Sequence, residues 1–179
     1  MRCFIGIFLP KEMQGMLENI QKQIGREYAK TKWVLPEQIH ITLKFLGEVD
    51  DKEIEIIKEA LLGVHFRKFQ ISLDRIGWFP NDERINVIWV GFRPEKDVLN
   101  LHGEIEIKLG SLFDKDERFA VHATLGRVKY VKNKEKFLKA LKNTKGAWED
   151  FFVESFSLVK SDLSKDGPEY SVLKTYDLW

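Results

Sequence analysis

The tetrapeptide His-x-Thr-Leu occurs twice in this chain of 179 residues, first at 40–43 and again at 122–125. Each copy lies in an apolar run that is typical of a β-strand. Residues i and i+2 of a strand point to one face, and residues i+1 and i+3 point to the other. Each histidine should therefore share a polar face with its threonine, while Ile41 and Leu43 point into a core. We interpret the repeat as a degenerate internal duplication, which predicts a fold of two similar halves, each presenting one histidine.

The elements predicted around the two copies follow a repeated order of strands and helices. Extended runs are expected at residues 3–9, 33–46, 69–78, 85–92, 119–130, 151–159 and 170–178, and helices at 11–28, from 50 to 61, from 98 to 109 and from 133 to 141. This order predicts an α+β fold with two pseudo-symmetric lobes around a central cleft, each an antiparallel sheet with helices on its outer face. Because no Pro/Gly/Ser-rich linker separates the halves, we expect one domain over residues 1–179.

Composition favours a globular protein without disulfides or membrane-spanning segments. Hydrophobic residues make up 44% of the chain, and 29 basic residues nearly balance 28 acidic ones. The first ten residues contain only a short apolar run with no small-residue cleavage site, and no apolar run reaches the roughly 18 residues of a membrane-spanning helix, so we expect neither secretion nor membrane insertion. The single cysteine, Cys3, excludes an internal disulfide and a zinc ribbon. We therefore expect a cytoplasmic monomer that needs no membrane and no obligate protein partner.

Two histidines on facing strands are suited to acid–base catalysis at a phosphodiester. One neutral imidazole removes a proton from the attacking oxygen, and one imidazolium protonates the leaving oxygen, so the chemistry needs no metal or other cofactor. Thr42 and Thr124 would donate hydrogen bonds to the non-bridging phosphate oxygens. Arg127, five residues after His122, would add a cationic fork to the same phosphate. His40 and His122 are thus the predicted catalytic pair.

The sequence resembles the 2H phosphoesterase superfamily, and within it the bacterial and archaeal RNA 2′,3′-cyclic phosphodiesterases, also called 2′-5′ RNA ligases. The resemblance covers nearly the whole chain and lies in the segments 2–7, 33–36, 40–47, 77–80, 122–127 and 167–170. One departure is Val121, since the family commonly has proline before the second motif histidine. Valine in place of proline changes how the strand begins more than it changes the chemistry of His122.

The resemblance implies a hydrolase that opens a terminal 2′,3′-cyclic phosphate of RNA, tRNA fragments included, to a 2′-phosphate. A related exchange, which needs no ATP, joins RNA ends through a 2′-5′ bond. By motif position, His40 is the proton donor to the leaving 3′ oxygen and His122 is the proton acceptor that activates water. Phe45 matches a position near the terminal nucleoside, where an aromatic ring stacks on a base. No metal and no cofactor are implied.

A basic segment follows the second motif. Between residues 127 and 145 there are eight basic residues and one acidic residue, Glu135. A basic helix beside the cleft would attract an RNA backbone. Of the remaining histidines, His102 shares a helical face with Val98 and Ile105 and is expected to be a hydrogen-bonded core or boundary residue rather than a ligand. His65 is expected to have no chemical role.

Three other functions are compatible with the motifs. The first is the same chemistry on another substrate, namely a small cyclic nucleotide, ADP-ribose cyclic phosphate or a 2′-5′ oligonucleotide. The second is a protein that binds RNA ends without turnover. The third is a metal site built on His40 and His122, which the lack of a cysteine or carboxylate at i+2 to i+4 of either motif disfavours.

Overall fold

The apolar runs of the sequence form nine strands in the computed structural model, which describes residues 1–146 and 148–179. The strands are β1 (Arg2–Phe8), β2 (Ala29–Trp33), β3 (His40–Glu48), β4 (Phe69–Pro80), β5 (Ile85–Arg93), β6 (His122–Val131), β7 (Asp150–Val153), β8 (Ser155–Leu163) and β9 (Pro168–Asp177). Residues 11–13 and 36–38 form short 3₁₀ turns.

Four helices pack against this sheet within the described residues: α1 (Gln14–Ile24), α2 (Asp51–Leu62), α3 (Lys96–Leu109) and α4 (Lys134–Asn143). The predicted helix starts near Asp50 and Asn133 are confirmed. Asp50 accepts hydrogen bonds from the amides of Lys52 and Glu53, while Glu53 accepts from the amide of Asp50, which is a capping box. Asn133 caps α4 by accepting from the amide of Lys136.

The sheet consists of two halves of four antiparallel strands each, with a motif strand innermost in both. Its path is β7-β4-β5-β6-β3-β1-β8-β9, with β2 added to β6. The motif strands β6 and β3 are central, and each begins a run of four antiparallel strands that leads outward. Helix α1 contacts α4, and α2 contacts α3, so each half contributes one member of each helix pair. The predicted α+β fold with two related antiparallel halves is confirmed, and the two halves share one hydrogen-bonded sheet.

One face of the sheet carries the core and the helices. Inward side chains of the strands and apolar helix residues, such as Leu17, Ile57, Leu101 and Phe137, belong to a single buried cluster. The opposite face of β1, β3, β5 and β6 carries both motif histidines, and we call it the site face. None of the described helices is both long and apolar enough to cross a membrane.

Three predicted elements differ from the structure. The extended run expected over 33–46 is interrupted by the 3₁₀ turn at residues 36–38, so β3 begins only at His40. The helix expected over 11–28 ends at Ile24, because Gly25 adopts a positive φ of 81° and residues 29–33 pair with β6. The strand expected over 151–159 is two strands, since β7 pairs with β4 in one half and β8 pairs with β1 and β9 in the other. The chain therefore crosses between the halves at Glu154, a step that periodicity along one strand does not reveal.

Candidate active site

The two motif strands meet at the second residue of each motif. Ile41 and Ala123 are antiparallel register partners, and both are buried in the core. The residues on either side of them point to the site face and are partly exposed. These four residues are His40, Thr42, His122 and Thr124. An antiparallel register sets each histidine opposite the threonine of the other motif, so both motifs face one shared site.

Both imidazoles are oriented by the backbone two residues upstream. Nδ1 of His40 lies 2.7 Å from the carbonyl oxygen of Gln38, and Nδ1 of His122 lies 2.7 Å from that of Ala120. A carbonyl oxygen only accepts hydrogen bonds, so each Nδ1 carries a hydrogen and donates it. The exchangeable position of both rings is then Nε2. Each motif thus fixes the tautomer that acid–base catalysis through Nε2 requires.

Aromatic rings enclose His40. Phe4 stacks on the imidazole with 4.6 Å between ring centroids, and Phe8 and Tyr170 each approach to 5.4 Å. Burial lowers the pKa of His40 below its ordinary value of 6.5; the hydrogen bond to Gln38 raises it in part, and the charge of His122 lowers it further. The neutral form of the His40 imidazole is therefore favoured in the free protein.

Two other aromatic rings hold His122. Phe79 meets the imidazole edge-on at 5.2 Å, and Trp89 approaches to 6.1 Å. Trp89 lies flat across β4 because Gly77 has no side chain there; a Cβ at Gly77 would overlap the indole ring. The indole Nε1 of Trp89 is buried and has no hydrogen-bond partner among the described residues. Aromatic side chains from β1 and β9 therefore hold His40, and those from β4 and β5 hold His122.

A β-bulge occurs at the last residue of each motif. Along β1 and β3, Ile5 pairs with Lys44 and Gly6 with Thr42, which leaves Leu43 without a partner on β1. The second copy repeats this irregularity, because Ile88 pairs with Gly126 and Trp89 with Thr124, leaving Leu125 without a partner on β5. A bulge inserts one residue and shifts which face the following residues occupy. Both motif strands therefore reverse their alternation just beyond the Thr.

The bulges determine where Phe45 and Arg127 point. With strict alternation, both residues would share the core face with Leu43 and Leu125. The shifted register instead makes Phe45 the partner of Phe4 and Arg127 the partner of Val87, so both lie on the site face. Phe45 is 66% exposed, which excludes a core position. Phe45 and Arg127 follow their histidines by five residues each, so they occupy equivalent positions in the two halves.

A buried polar side chain from a helix supports each bulge. Nδ1 of His102 on α3 donates to the carbonyl oxygen of Leu43 at 2.8 Å. Gln21 on α1 donates from Nε2 to the carbonyl oxygens of Leu125, at 3.0 Å, and Val34, at 2.7 Å. His102 also stacks on Phe119 with 3.9 Å between centroids. The prediction of a hydrogen-bonded core histidine at position 102 is confirmed.

The hairpin between β8 and β9 brings a residue that sequence reasoning missed. Gln38 Nε2 donates to the carbonyl oxygen of Pro168 at 3.1 Å, which holds this hairpin beside the first motif. Tyr170 follows and packs edge-on against His40. Burial raises the pKa of Tyr170, and the nearby charge of Arg127 partly opposes this effect. Tyr170 therefore contacts His40 of one half, and its hydroxyl lies within the electrostatic influence of Arg127 of the other half.

Of the other site residues that sequence reasoning missed, those on β1 had a usable signal in the sequence, and those on β4 and β5 did not. Along β1, the buried Cys3, Ile5 and Ile7 alternate with Phe4 and Phe8, which therefore face away from the core together with His40. Phe79 and Trp89 required knowledge of how β4 and β5 pair with β6, which the sequence does not supply.

A cluster of residue types that bind metals lies outside the site face, and the ammonium group of Lys44 pairs with its carboxylates. Ligand atoms of His102, Glu106 and Asp116 lie within 4.8 Å of one another. The Lys44 ammonium, 2% exposed, is 2.6 Å from Glu106 Oε1 and 3.5 Å from Asp116 Oδ1, and it donates to the carbonyl oxygen of Asp114. The lysine supplies the positive charge that these carboxylates require. We interpret this cluster as a structural anchor between β3 and the loop after α3.

The expectation of a basic helix beside the site is wrong. Phe137 and Leu141 of α4 belong to the core cluster, so this helix packs on the face of the sheet opposite to the histidines. Lys134 pairs with Glu83 at 2.8 Å, and Lys142 pairs with Asp82 at 3.7 Å. The clustering of lysines reflects a solvated outer helix whose charge is partly neutralised by the β4–β5 turn.

A fold that joins two antiparallel halves through paired His-x-Thr strands defines a two-histidine phosphoesterase. The model of the LigT like Phosphoesterase family matches residues 7–89, which include the first motif. The RNA 2′,3′-cyclic phosphodiesterase of Methanocaldococcus jannaschii is 35% identical, covering 98% of this chain and 100% of the relative. The enzyme of that name from Archaeoglobus fulgidus is 34% identical, covering 99% and 100%. This chain belongs to the LigT-like phosphoesterase family.

Solved structures agree on the fold. The crystal structure of TT0787 of Thermus thermophilus matches with a TM-score of 0.84 at 28% identity, covering 99% of this chain and 98% of that one. The apo form of E. coli LigT matches with a TM-score of 0.79 at 21% identity, covering 99% and 96%, and shows the shared fold. The matches span both motif-bearing halves.

Proposed function

We propose that this protein hydrolyses terminal 2′,3′-cyclic phosphates of RNA to 2′-phosphates, with His40 and His122 as the catalytic acid and base. The observation that carries this proposal is the matched anchoring of the two imidazoles. Each Nδ1 donates to a carbonyl two residues upstream, and the register pair Ile41–Ala123 brings the motifs together. Two relatives that match over their full length, from M. jannaschii and A. fulgidus, carry the name RNA 2′,3′-cyclic phosphodiesterase.

The reaction uses one proton transfer at each side of the phosphorus. Neutral His122 takes a proton from water through Nε2 as the water oxygen forms a bond to phosphorus. The bond from phosphorus to the 3′ oxygen breaks, and protonated His40 gives that oxygen a proton. The products are a 2′-phosphate and a free 3′-hydroxyl. Thr42, Thr124 and Arg127 hold the non-bridging oxygens, where negative charge accumulates.

Substrate binding prepares His40 for its role as the acid. Burial lowers the pKa of His40 in the free protein, which disfavours the imidazolium. A phosphodiester between the two motifs adds a negative charge near the ring, and an opposite charge favours the protonated form. We therefore expect His40 to acquire its proton together with the substrate, so a rise in its pKa accompanies binding. No step of this mechanism requires a metal.

The same site supports strand joining when an alcohol replaces water. A 5′-hydroxyl of a second RNA attacking the cyclic phosphate would form a 2′-5′ bond, with the same two proton transfers and the same leaving 3′ oxygen. Phe45, exposed on the site face beyond Thr42, is proposed to stack on the terminal base.

The decisive experiment identifies the product end. RNA bearing a 2′,3′-cyclic phosphate is incubated with the protein in EDTA, and the product is distinguished as 2′- or 3′-phosphate. A 2′-phosphate formed in the presence of EDTA supports the proposal, whereas a 3′-phosphate product or loss of activity on chelation contradicts it. His40→Ala and His122→Ala should each lower kcat by several orders of magnitude, because the pair acts as one unit.

A substrate with sulfur in place of the bridging 3′ oxygen separates the two roles. Sulfur leaves readily without a proton, so His40→Ala should lose far less activity on this substrate than on the oxygen form. His122→Ala should lose the same activity on both. The reverse pattern would exchange the acid and base assignments.

A further inference from the structure

A third bulge extends the site face along β2 and β6. In the register of these strands, Lys30 pairs with Tyr130 and Thr31 with Val128, so Lys129 has no partner on β2. Lys32 pairs with Arg127, which the second bulge already directs to the site face. Lys30 lies two residues from Lys32 on the same strand, and its partner Tyr130 therefore shares that face as well. We call Lys30, Lys32, Arg127 and Tyr130 the β2–β6 strip.

The opposite face of β2 confirms this orientation. Ala29 is in the core, and a Cβ at Gly126 would lie 2.7 Å from atoms of both Thr31 and Trp33. These residues therefore pack on the core side, while Lys30 and Lys32 are exposed. Lys32 also approaches the β8–β9 hairpin, since its Nζ lies 3.3 Å from the position that a Cβ on Gly167 would take. The strip therefore extends along β2 and β6, away from the active site.

The strip combines cationic side chains with an exposed aromatic ring. Within residues 1–146 and 148–179, Lys30, Lys32 and Arg127 have no carboxylate within 4.0 Å, in contrast to the paired Lys134 and Lys142 of α4. Tyr130 is 53% exposed, so its ring is available for stacking. Cations that follow a phosphate backbone and an aromatic ring that stacks on bases are the two elements of single-strand recognition.

We propose that the β2–β6 strip binds the single-stranded RNA chain that leads to the terminal cyclic phosphate. This inference rests on the proposed function, because it takes the phosphate between the two motifs as its starting point. A 2′,3′-cyclic phosphate closes the 3′ end, so the rest of the RNA leaves the site in one direction only. Arg127 contacts the terminal phosphate, Lys32 and Lys30 contact phosphates further upstream, and Tyr130 stacks on an upstream base. The strip thus makes the protein selective for RNA over mononucleotides.

The test compares two substrates and two matched double variants. Lys30→Ala/Lys32→Ala removes two lysines from the strip, and Lys136→Ala/Lys139→Ala removes two lysines from the outer helix α4. On an RNA decamer ending in a 2′,3′-cyclic phosphate, the strip variant should raise KM at least tenfold. On cytidine 2′,3′-cyclic phosphate it should stay within twofold of the unmodified protein. The helix variant should change neither value by more than twofold.

Salt dependence and direct binding make the test independent of turnover. The slope of log kcat/KM for the decamer against log salt should become shallower by about 1.4, since each single-strand phosphate contact contributes about 0.7. Fluorescence anisotropy with a labelled decamer should show at least tenfold weaker binding for the strip variant, and at least threefold weaker binding for Tyr130→Ala. If the protein binds the decamer but turns over neither substrate, the proposed function fails while this assay still tests the strip.

Three results would overturn the inference. The first is unchanged decamer binding in Lys30→Ala/Lys32→Ala. The second is an equal loss on the decamer and on the mononucleotide, which would mean that these lysines act on the active site itself. The third is an equal loss in the helix variant, which would mean that net charge rather than position governs RNA binding.

Discussion

The hydrogen bonds of Gln21 offer a direct test of how the second motif is held in place. Gln21→Met keeps the length of the side chain and removes both amide N–H donors. The carbonyl oxygen of Val34 then loses a donor at 2.7 Å, and that of Leu125 loses one of its two, because it also accepts from the amide of Val34 at 2.9 Å. An unsatisfied buried acceptor costs about 1–3 kcal/mol and a lost second bond less, so the expected destabilisation is about 2–3 kcal/mol.

Thermal and chemical denaturation measure this effect. For a chain of 179 residues, each kcal/mol lowers Tm by about 2–4 °C, so Gln21→Met should melt about 4–12 °C below the unmodified protein. Gln23→Met is the matched control. Gln23 lies on the same helix and makes backbone hydrogen bonds to Lys145, but these are exposed, so its loss should stay within about 0.5 kcal/mol.

The functional consequence follows from the bulge at Leu125. If Gln21 holds that bulge, its loss loosens the position of Arg127, and KM for a 2′,3′-cyclic phosphate should rise severalfold at temperatures well below the melting transition. Stability equal to that of the Gln23→Met control would refute the hydrogen-bond argument. Reduced stability with an unchanged KM would refute the link between the bulge and Arg127.

Three further predictions concern the histidines and the packing around them. His102→Phe keeps the stacking on Phe119 but removes the donor to Leu43, so urea unfolding should show a loss of about 1–3 kcal/mol; a neutral result would contradict the support of the first bulge. Because the pKa of His40 is lowered in the folded state, the unfolded chain binds more protons than the folded protein as pH falls below 6.5. The free energy of unfolding should therefore decrease with falling pH more steeply in the unmodified protein than in His40→Ala. Parallel pH profiles of the two proteins would refute this. Gly77→Ala forces Trp89 off β4 and should lower activity at least tenfold. In the control variant Gly103→Ala the new Cβ meets no atom within 4 Å, so folding and activity should be those of the unmodified protein. Equal activities of the two variants would contradict the packing argument.

Much of the site was predictable because it depends on short-range periodicity. The i, i+2 spacing correctly placed each histidine with its threonine on one face and Ile41 and Ala123 on the other. The caps at Asp50 and Asn133 were predictable for the same reason, since a capping side chain bonds within three residues of itself. That the repeat records an internal duplication stays a prediction.

The rest depends on contacts between distant segments. Strict alternation assigns Phe45 and Arg127 to the core face, and only the pairing of β1 with β3 and of β5 with β6 reveals the bulges that redirect them. Tyr170 reaches His40 through a hairpin fixed by Gln38, 130 residues away from Pro168 in sequence. The lysines of α4 formed a conspicuous cluster in the sequence, but the apolar Phe137 and Leu141 determine which face of the sheet that helix covers.

The bulges also explain how two similar halves acquire different roles. Both halves reverse their alternation at the leucine of the motif, and in both a buried side chain of a helix, His102 or Gln21, holds the bulged backbone. The scaffold therefore delivers the fifth residue after each histidine to the site face. That residue is an aromatic ring in one half, Phe45, and a guanidinium in the other, Arg127. On the proposed function, Phe45 would face the base and Arg127 the anionic phosphate chain of the substrate, and the third bulge, at Lys129, lengthens only the cationic side.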